Sequence, residues 1–450
     1  MTTILLPSPS ICVLIKKYLV TICFSIYTHS ICFLFEHKKV EIALAWEKGV
    51  KLNPGLKASR RALNIEGESS FIVLGNAKML ETQGRRIIHL EIGEPDFITP
   101  ANIREAAIRA LKDGETHYTP TPGMLELRKA IAEKTAQDFG IDVSFENVSV
   151  TLGSKEAIFA ALASIVEEGD EVLYPNPGYP AYESGVRFFG GKPVPVRLRE
   201  ENEFRMTPEE VNRLVSDKTK AIIINSPENP TGAVLSKDDV KGVVEIARDR
   251  GAYVISDEVY RYIIYDGLKH YSPLQFDENL ENTIVVDGFS KYYAMTGWRL
   301  GYVITPERLT EPLQLVLNLV TACPPSFIQI GGLEALRNGS NAVREMVEQY
   351  AIRREIVIEE VSKMRSVHMV RPKGAFYGFI NVKEIIDRAK VNSLKLASIL
   401  LEKYGVAVLH GSAMGSFGEG YVRISYANSV ENIRNGLRIM SRAFDEIAGF

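Results

Sequence analysis

The feature that most restricts this chain is a series of short, unbroken apolar runs, each followed by a turn and then by residues with a helical period. "VSVTLG" leads into "SKEAIFAALASIV" and "AIIINSPENPTG" into "SKDDVKGVVEIARDRG"; "AYVISDEVY" and "TIVVDGFSK" follow. A strand wetted on one face alternates apolar and polar side chains, whereas one that never alternates is covered on both faces. These runs of Val, Ile, Leu and Ala hardly alternate at all. The pattern predicts an α/β fold: a large domain with a mostly parallel central sheet covered by helices.

Past about residue 345 the texture changes. A long charged helical stretch, "REMVEQYAIRREIVIEEVSKM", leads into "VHMVRPKGAFYGFINV", a second helical stretch near "SLKLASILLEKYG", then "VAVLHG", "GYVRISYA" and a final helical period. This predicts a smaller α+β domain. A chain of 450 residues also exceeds what one hydrophobic core usually serves. The composition shifts place a hydrophobic N-terminal extension at 1–50, a segment packing with the small domain at 51–95, the large domain at 96–345 and the small domain at 346–450.

With a net charge of −3 and no basic region, the chain has no nucleic-acid footprint. Three of its four cysteines, Cys12, Cys23 and Cys32, crowd near the N-terminus, without metal-ligand spacing; Cys323 stands alone. A reduced, cytoplasmic body with no metal site is the expectation. The stretch "ICVLIKKYLVTICFSIYTHSICFLF" is apolar, but Lys16 and Lys17 interrupt it and the run after them carries Thr28, His29 and Ser30. Three readings stay open for it: a mis-assigned start codon, an anchor or uncleaved signal, and a disordered or docked extension. A membrane partner is not expected.

In open α/β sheets, ligands lie beyond the carboxyl ends of the strands. The residues just past the apolar runs are Gly153, Ser154 and Lys155, then Asn225 and Asn229, then Asp257 and Tyr260, then Lys291. Gly153 and Ser154 open a helix, whose free N–H groups and positive dipole end suit an anion. Asp257 and Lys291 both follow fully apolar strands, where an ionised group needs a partner. They could simply pair with each other. Arg299, in "TGWRLG", adds a rigid fork suited to phosphate. An anion cradle, a buried carboxylate and a lysine able to shed its proton are together the requirements of pyridoxal 5′-phosphate.

"NSPENPTG", "SDEVY", "FSKYYAMTGWRLGY" and "GYVRISYA" occur in an order and spacing that resemble the class I aminotransferases of fold type I, particularly the branch with prokaryotic aspartate aminotransferases. The likeness spans about residues 55–450. It implies that Lys291 joins the cofactor and moves the substrate Cα proton, that Asp257 partners the pyridine nitrogen, and that Asn229 and Tyr260 bond the ring's 3-oxygen. It implies further that Tyr179 stacks on the ring, that Arg299, Gly153, Ser154 and Ser290 surround the phosphate, and that Arg423 with the backbone at Gly93 binds the substrate α-carboxylate. Tyr118 would reach the phosphate of a neighbouring subunit, implying a homodimer. Two positions depart from the pattern: Gly288 where serine is common, and His410 where proline is common.

The same resemblance makes Lys155 a ligand for a second substrate carboxylate. It implies transamination between an amino acid and a 2-oxo acid, aspartate with 2-oxoglutarate first. Alanine, aromatic amino acids, 2-aminoadipate and diaminopimelate are alternative donors. A β-eliminating lyase acting on cysteine conjugates would use the same cofactor residues.

Overall fold

The computed structural model describes residues 58–65 and 67–450. The apolar stretch near the N-terminus and its three cysteines lie outside the described residues. From Arg60 to Phe450 the chain forms one compact unit.

After a two-residue strand, β1 (Ile88–His89), come seven strands that share one sheet: β2 (Val148–Thr151), β3 (Glu171–Asn176), β4 (Lys192–Arg197), β5 (Thr219–Asn225), β6 (Tyr253–Asp257), β7 (Thr283–Gly288) and β8 (Gly301–Ile304). Their spatial order is β2-β8-β7-β6-β5-β3-β4. β3 to β7 pair in parallel, and β8 runs against both neighbours, β2 and β7. A parallel return needs a crossover, usually a helix. The 289–300 connection before β8 holds only a tight turn and the 3₁₀ helix Thr296–Trp298, so β8 comes back antiparallel.

Why the apolar runs never alternate is visible in the packing. Ile223, Ile255, Ile284 and Val286 join one core with Ala157, Ala161 and Leu162 of the helix Ser154–Ile165. Their neighbours Ile222, Ile224 and Val254 join another with Val240, Val243 and Val244 of the helix Lys237–Asp249. Each such burial stabilises by about 1.5–3 kcal/mol. The second helix starts where its sequence says it should: Ser236 and Asp239 form a reciprocal capping box.

The remaining strands are β9 (His368–Met369), β10 (Tyr377–Asn381), β11 (Val406–Ala407), β12 (Leu409–His410) and β13 (Tyr421–Ser425). β12-β13-β10-β9 make an antiparallel sheet, and β1 pairs with β11 in parallel. The helices Ser340–Ser362 and Val430–Ala448 pack against each other beside this sheet. Among the described residues no helix is long and apolar enough to cross a membrane.

Candidate active site

Asp257 is the last residue of β6, and the parallel register puts Asn225, the last residue of β5, directly beside it. Asn225 Nδ2 donates to the Asp257 carbonyl (2.9 Å), while its Oδ1 accepts from the Asn229 backbone N–H (3.0 Å). The Asp257 carboxylate is buried; it accepts from the Tyr182 hydroxyl (2.7 Å) and the Val259 N–H (3.3 Å). Burial pushes its pKa up to about 6, with Glu258 acting in the same direction and the two hydrogen bonds and Lys291 opposing.

Lys291 follows β7 in the turn that precedes the antiparallel return. Its Nζ donates to the Gly93 carbonyl (2.8 Å) rather than to Asp257, and lies 5.9 Å from the centre of the Tyr260 ring. Withdrawal from water brings its pKa down to about 8. Arg423 and Arg299 push the same way, while Glu68 and Glu94 oppose. A lysine held there is readily neutral, which is what makes an amine a nucleophile. Gly93 has no alternative: a Cβ there would lie 2.0 Å from the Tyr377 hydroxyl.

Arg423 comes from β13 of the small sheet and is buried. Its Nη1 donates to Asn229 Oδ1 (3.0 Å) and its Nη2 to the Glu91 carbonyl (2.5 Å), and the guanidinium lies over the Tyr377 ring. Its Nε is buried with no hydrogen-bond partner. The Tyr377 hydroxyl bonds the Tyr260 hydroxyl (2.7 Å), linking β10 to the turn after β6.

At the amino end of Ser154–Ile165, Gly153 takes φ 84°, a conformation natural only to glycine. A Cβ there would sit 2.6 Å from Arg299 Nη2, and one on Gly301 would sit 2.7 Å from Ser154 N. Backbone and guanidinium are thus in contact. Arg299 itself is left-handed, φ 54°. Its Nη1 and Nη2 donate to the Thr296 and Leu152 carbonyls. Ser290 is buried beside Lys291.

Tyr179 bonds Glu68 (2.6 Å), which also pairs with Lys155. Tyr118 stands apart: its side chain is 92% exposed. His410, the other departure from the family pattern, is buried in β12 with Nδ1 against the Ser412 hydroxyl (2.8 Å), and burial pulls its pKa down to about 4. Reasoning from the sequence missed Tyr182, Tyr377 and Glu68. Tyr182 had a signal, since it lies three residues after Tyr179 at a helix start; the others had none.

Residues 85–439 match the family described as aminotransferase class I and II. The chain belongs to that family. This aminotransferase is 44% identical to an aspartate aminotransferase of Pyrococcus horikoshii, the alignment covering 80% of this chain and 91% of that one. It is 42% identical to aromatic-amino-acid aminotransferase 2 of Thermococcus litoralis, over 80% and 92% of the two chains. Among solved structures it resembles the aspartate aminotransferase of Thermus thermophilus with maleate: TM-score 0.82, 37% identity, 86% of this chain and all of that one. It is therefore a transaminase, and the family generally works with pyridoxal phosphate.

Proposed function

We propose that this aminotransferase uses pyridoxal 5′-phosphate to exchange the amino group of aspartate with 2-oxoglutarate in two alternating half-reactions. The observation that carries the reading is Lys291, held at about 8 and sharing its surroundings with Arg423 and Asp257. The residues present fit the cofactor. Lys291 is a reactive amine, Asp257 is a buried acid aimed from a strand end, and the Gly153–Arg299 contact supplies backbone and guanidinium for a phosphate. When bound, the cofactor supplies an electron sink and a carrier for the amino group.

Lys291 holds the cofactor and then carries the proton at the substrate Cα, a task suited to an amine whose pKa is brought near neutrality. Asp257, oriented by Tyr182, would keep the ring nitrogen protonated. Asn229 and Tyr260 would bond the 3-oxygen, and Tyr179 would cover the ring face. Arg299, Ser290 and the backbone of Gly153 and Ser154 would hold the phosphate. Arg423 is poised for the α-carboxylate because its Nε still lacks a partner while both Nη atoms are anchored; the backbone around Gly93 closes the same end. The exposure of Tyr118 supports a homodimer in which that tyrosine serves the neighbouring subunit's site.

Support for a dicarboxylic substrate is Lys155 together with the relatives named for aspartate. The test is a half-reaction screen: mix the cofactor-loaded protein with single amino acids and follow the cofactor absorbance. Rapid conversion by aspartate and glutamate is expected. Conversion by glutamate and aromatic amino acids with aspartate inert would discard the aspartate assignment and favour the activity named for the Thermococcus relative.

A further inference from the structure

The lysine expected to bind a substrate's second carboxylate already holds a carboxylate of its own chain. Glu68 Oε1 takes both the Lys155 ammonium and the Tyr179 hydroxyl (2.6 Å). Lys155 lies in the first turn of the helix that opens at Gly153, and its Nζ is 6.0 Å from the Tyr179 ring centre. Both partners of Glu68 therefore stand at the rim of the site, where Lys155 is still exposed.

Glu68 is the N-cap of the helix Ser69–Thr82, and its side chain bonds no N–H of that helix. The side chain is turned instead toward Lys155 and Tyr179, and its charge is felt as far as Lys291. A glutamate carboxylate with two contacts at the site mimics, in charge and shape, the end of a dicarboxylic acid.

We propose that Glu68 is an internal competitor for the second carboxylate of the substrate: a dicarboxylate displaces it from Lys155, and a substrate with a neutral side chain leaves it in place. The proposal rests on the aminotransferase reading of this site. With Glu68 on Lys155, the end of the site carries no net charge and accepts an apolar or aromatic side chain. With Glu68 swung out, the ammonium is free for aspartate, glutamate or 2-oxoglutarate. One site can then alternate between a neutral donor and a dicarboxylic acceptor. Displacement is inexpensive, because Lys155 is 54% exposed and a pair of this kind is weak.

The test is calorimetric titration of the cofactor-loaded protein with succinate, which has two carboxylates, and with 3-phenylpropionate, which has one and a neutral tail. Glu68→Gln removes the charge and keeps the size, and there is no cap bond to lose. The succinate-to-phenylpropionate affinity ratio should rise about fivefold, the size of a half-exposed ion pair. In a Lys155→Gln background the same change should move the ratio by no more than about twofold, because the contested group is gone. An unchanged ratio in Glu68→Gln, or an equal rise without Lys155, overturns the proposal. If neither acid binds the unaltered protein, the reading of the site itself fails, and the Glu68 proposal falls with it.

Discussion

Two clusters on adjacent strands hold the same kind of group and use it differently. Asp257 ends β6; Asp287 lies in β7, and burial pushes each carboxyl up to about 6. Around Asp287 the chain has closed every approach. The Gly288 N–H (2.6 Å) and the Tyr292 and Tyr302 hydroxyls (3.0 and 2.8 Å) donate to it, and Arg261 Nε makes an ion pair with it at 2.8 Å. Arg261 extends the cluster to Asp138 and stacks over Phe139 and Tyr262. Asp257 has only Tyr182 and one backbone N–H. A buried carboxylate with a perturbed pKa is thus not in itself a reactive one. What separates the two is whether a cation of the chain already neutralises it, and Asp287 has one where Asp257 leaves room for a ligand's.

The largest effect should come from the lysine that shares the Asp257 cluster. Lys291→Ala should abolish turnover and the absorbance of the bound cofactor; full activity would refute the site assignment. Next, the two aspartates should part ways. Asp257→Asn should cost at least about a hundredfold in turnover without lowering the melting temperature. Asp287→Ala should lose about 3–5 kcal/mol of stability, because it breaks the buried pair made by Arg261 Nε, while the folded fraction still takes up the cofactor. Equal losses of stability in both would break the comparison.

Smaller in size is the stability cost of Lys291 itself. In the cofactor-free protein its pKa is held at about 8 against 10.5 when unfolded. Below pH 8 both states are protonated and the full desolvation cost stands. Between about 8 and 10.5 only the unfolded chain keeps the proton, so the cost fades as pH rises. Lys291→Met should therefore raise the melting temperature by several degrees at pH 7, and the gain should vanish toward pH 10.5; a gain independent of pH would point to packing instead. The smallest effect belongs to the rim: Lys155→Ala should raise the Michaelis constant for dicarboxylates a few-fold more than for alanine. Equal rises would remove Lys155 from substrate binding.

The strands β2, β5, β6 and β7 were legible because burial on both faces leaves an unmistakable pattern, and Asp257 and Lys291 stood out as charges placed just past such strands; β4, only partly buried, had no such mark. Arg423 was legible only by resemblance, since "VRIS" reads equally well as a surface strand. The direction of β8 had no mark in "GYVI"; it followed from the short turn carrying Lys291. Tyr377 and Glu68 carried no signal at all, because the hydroxyls they meet, those of Tyr260 and Tyr179, are more than a hundred residues away in the chain.

By itself the sequence determined which segments become covered strands and where each stops, for these depend on local periodicity and on turn residues such as Gly153. Tertiary structure decided which charges meet. It set Arg261 against Asp287 and left Asp257 without an ion-pair partner, and it brought Glu68 onto Lys155. Such pairings depend on register and chain crossing, and electrostatic energy depends on distance in space rather than along the chain.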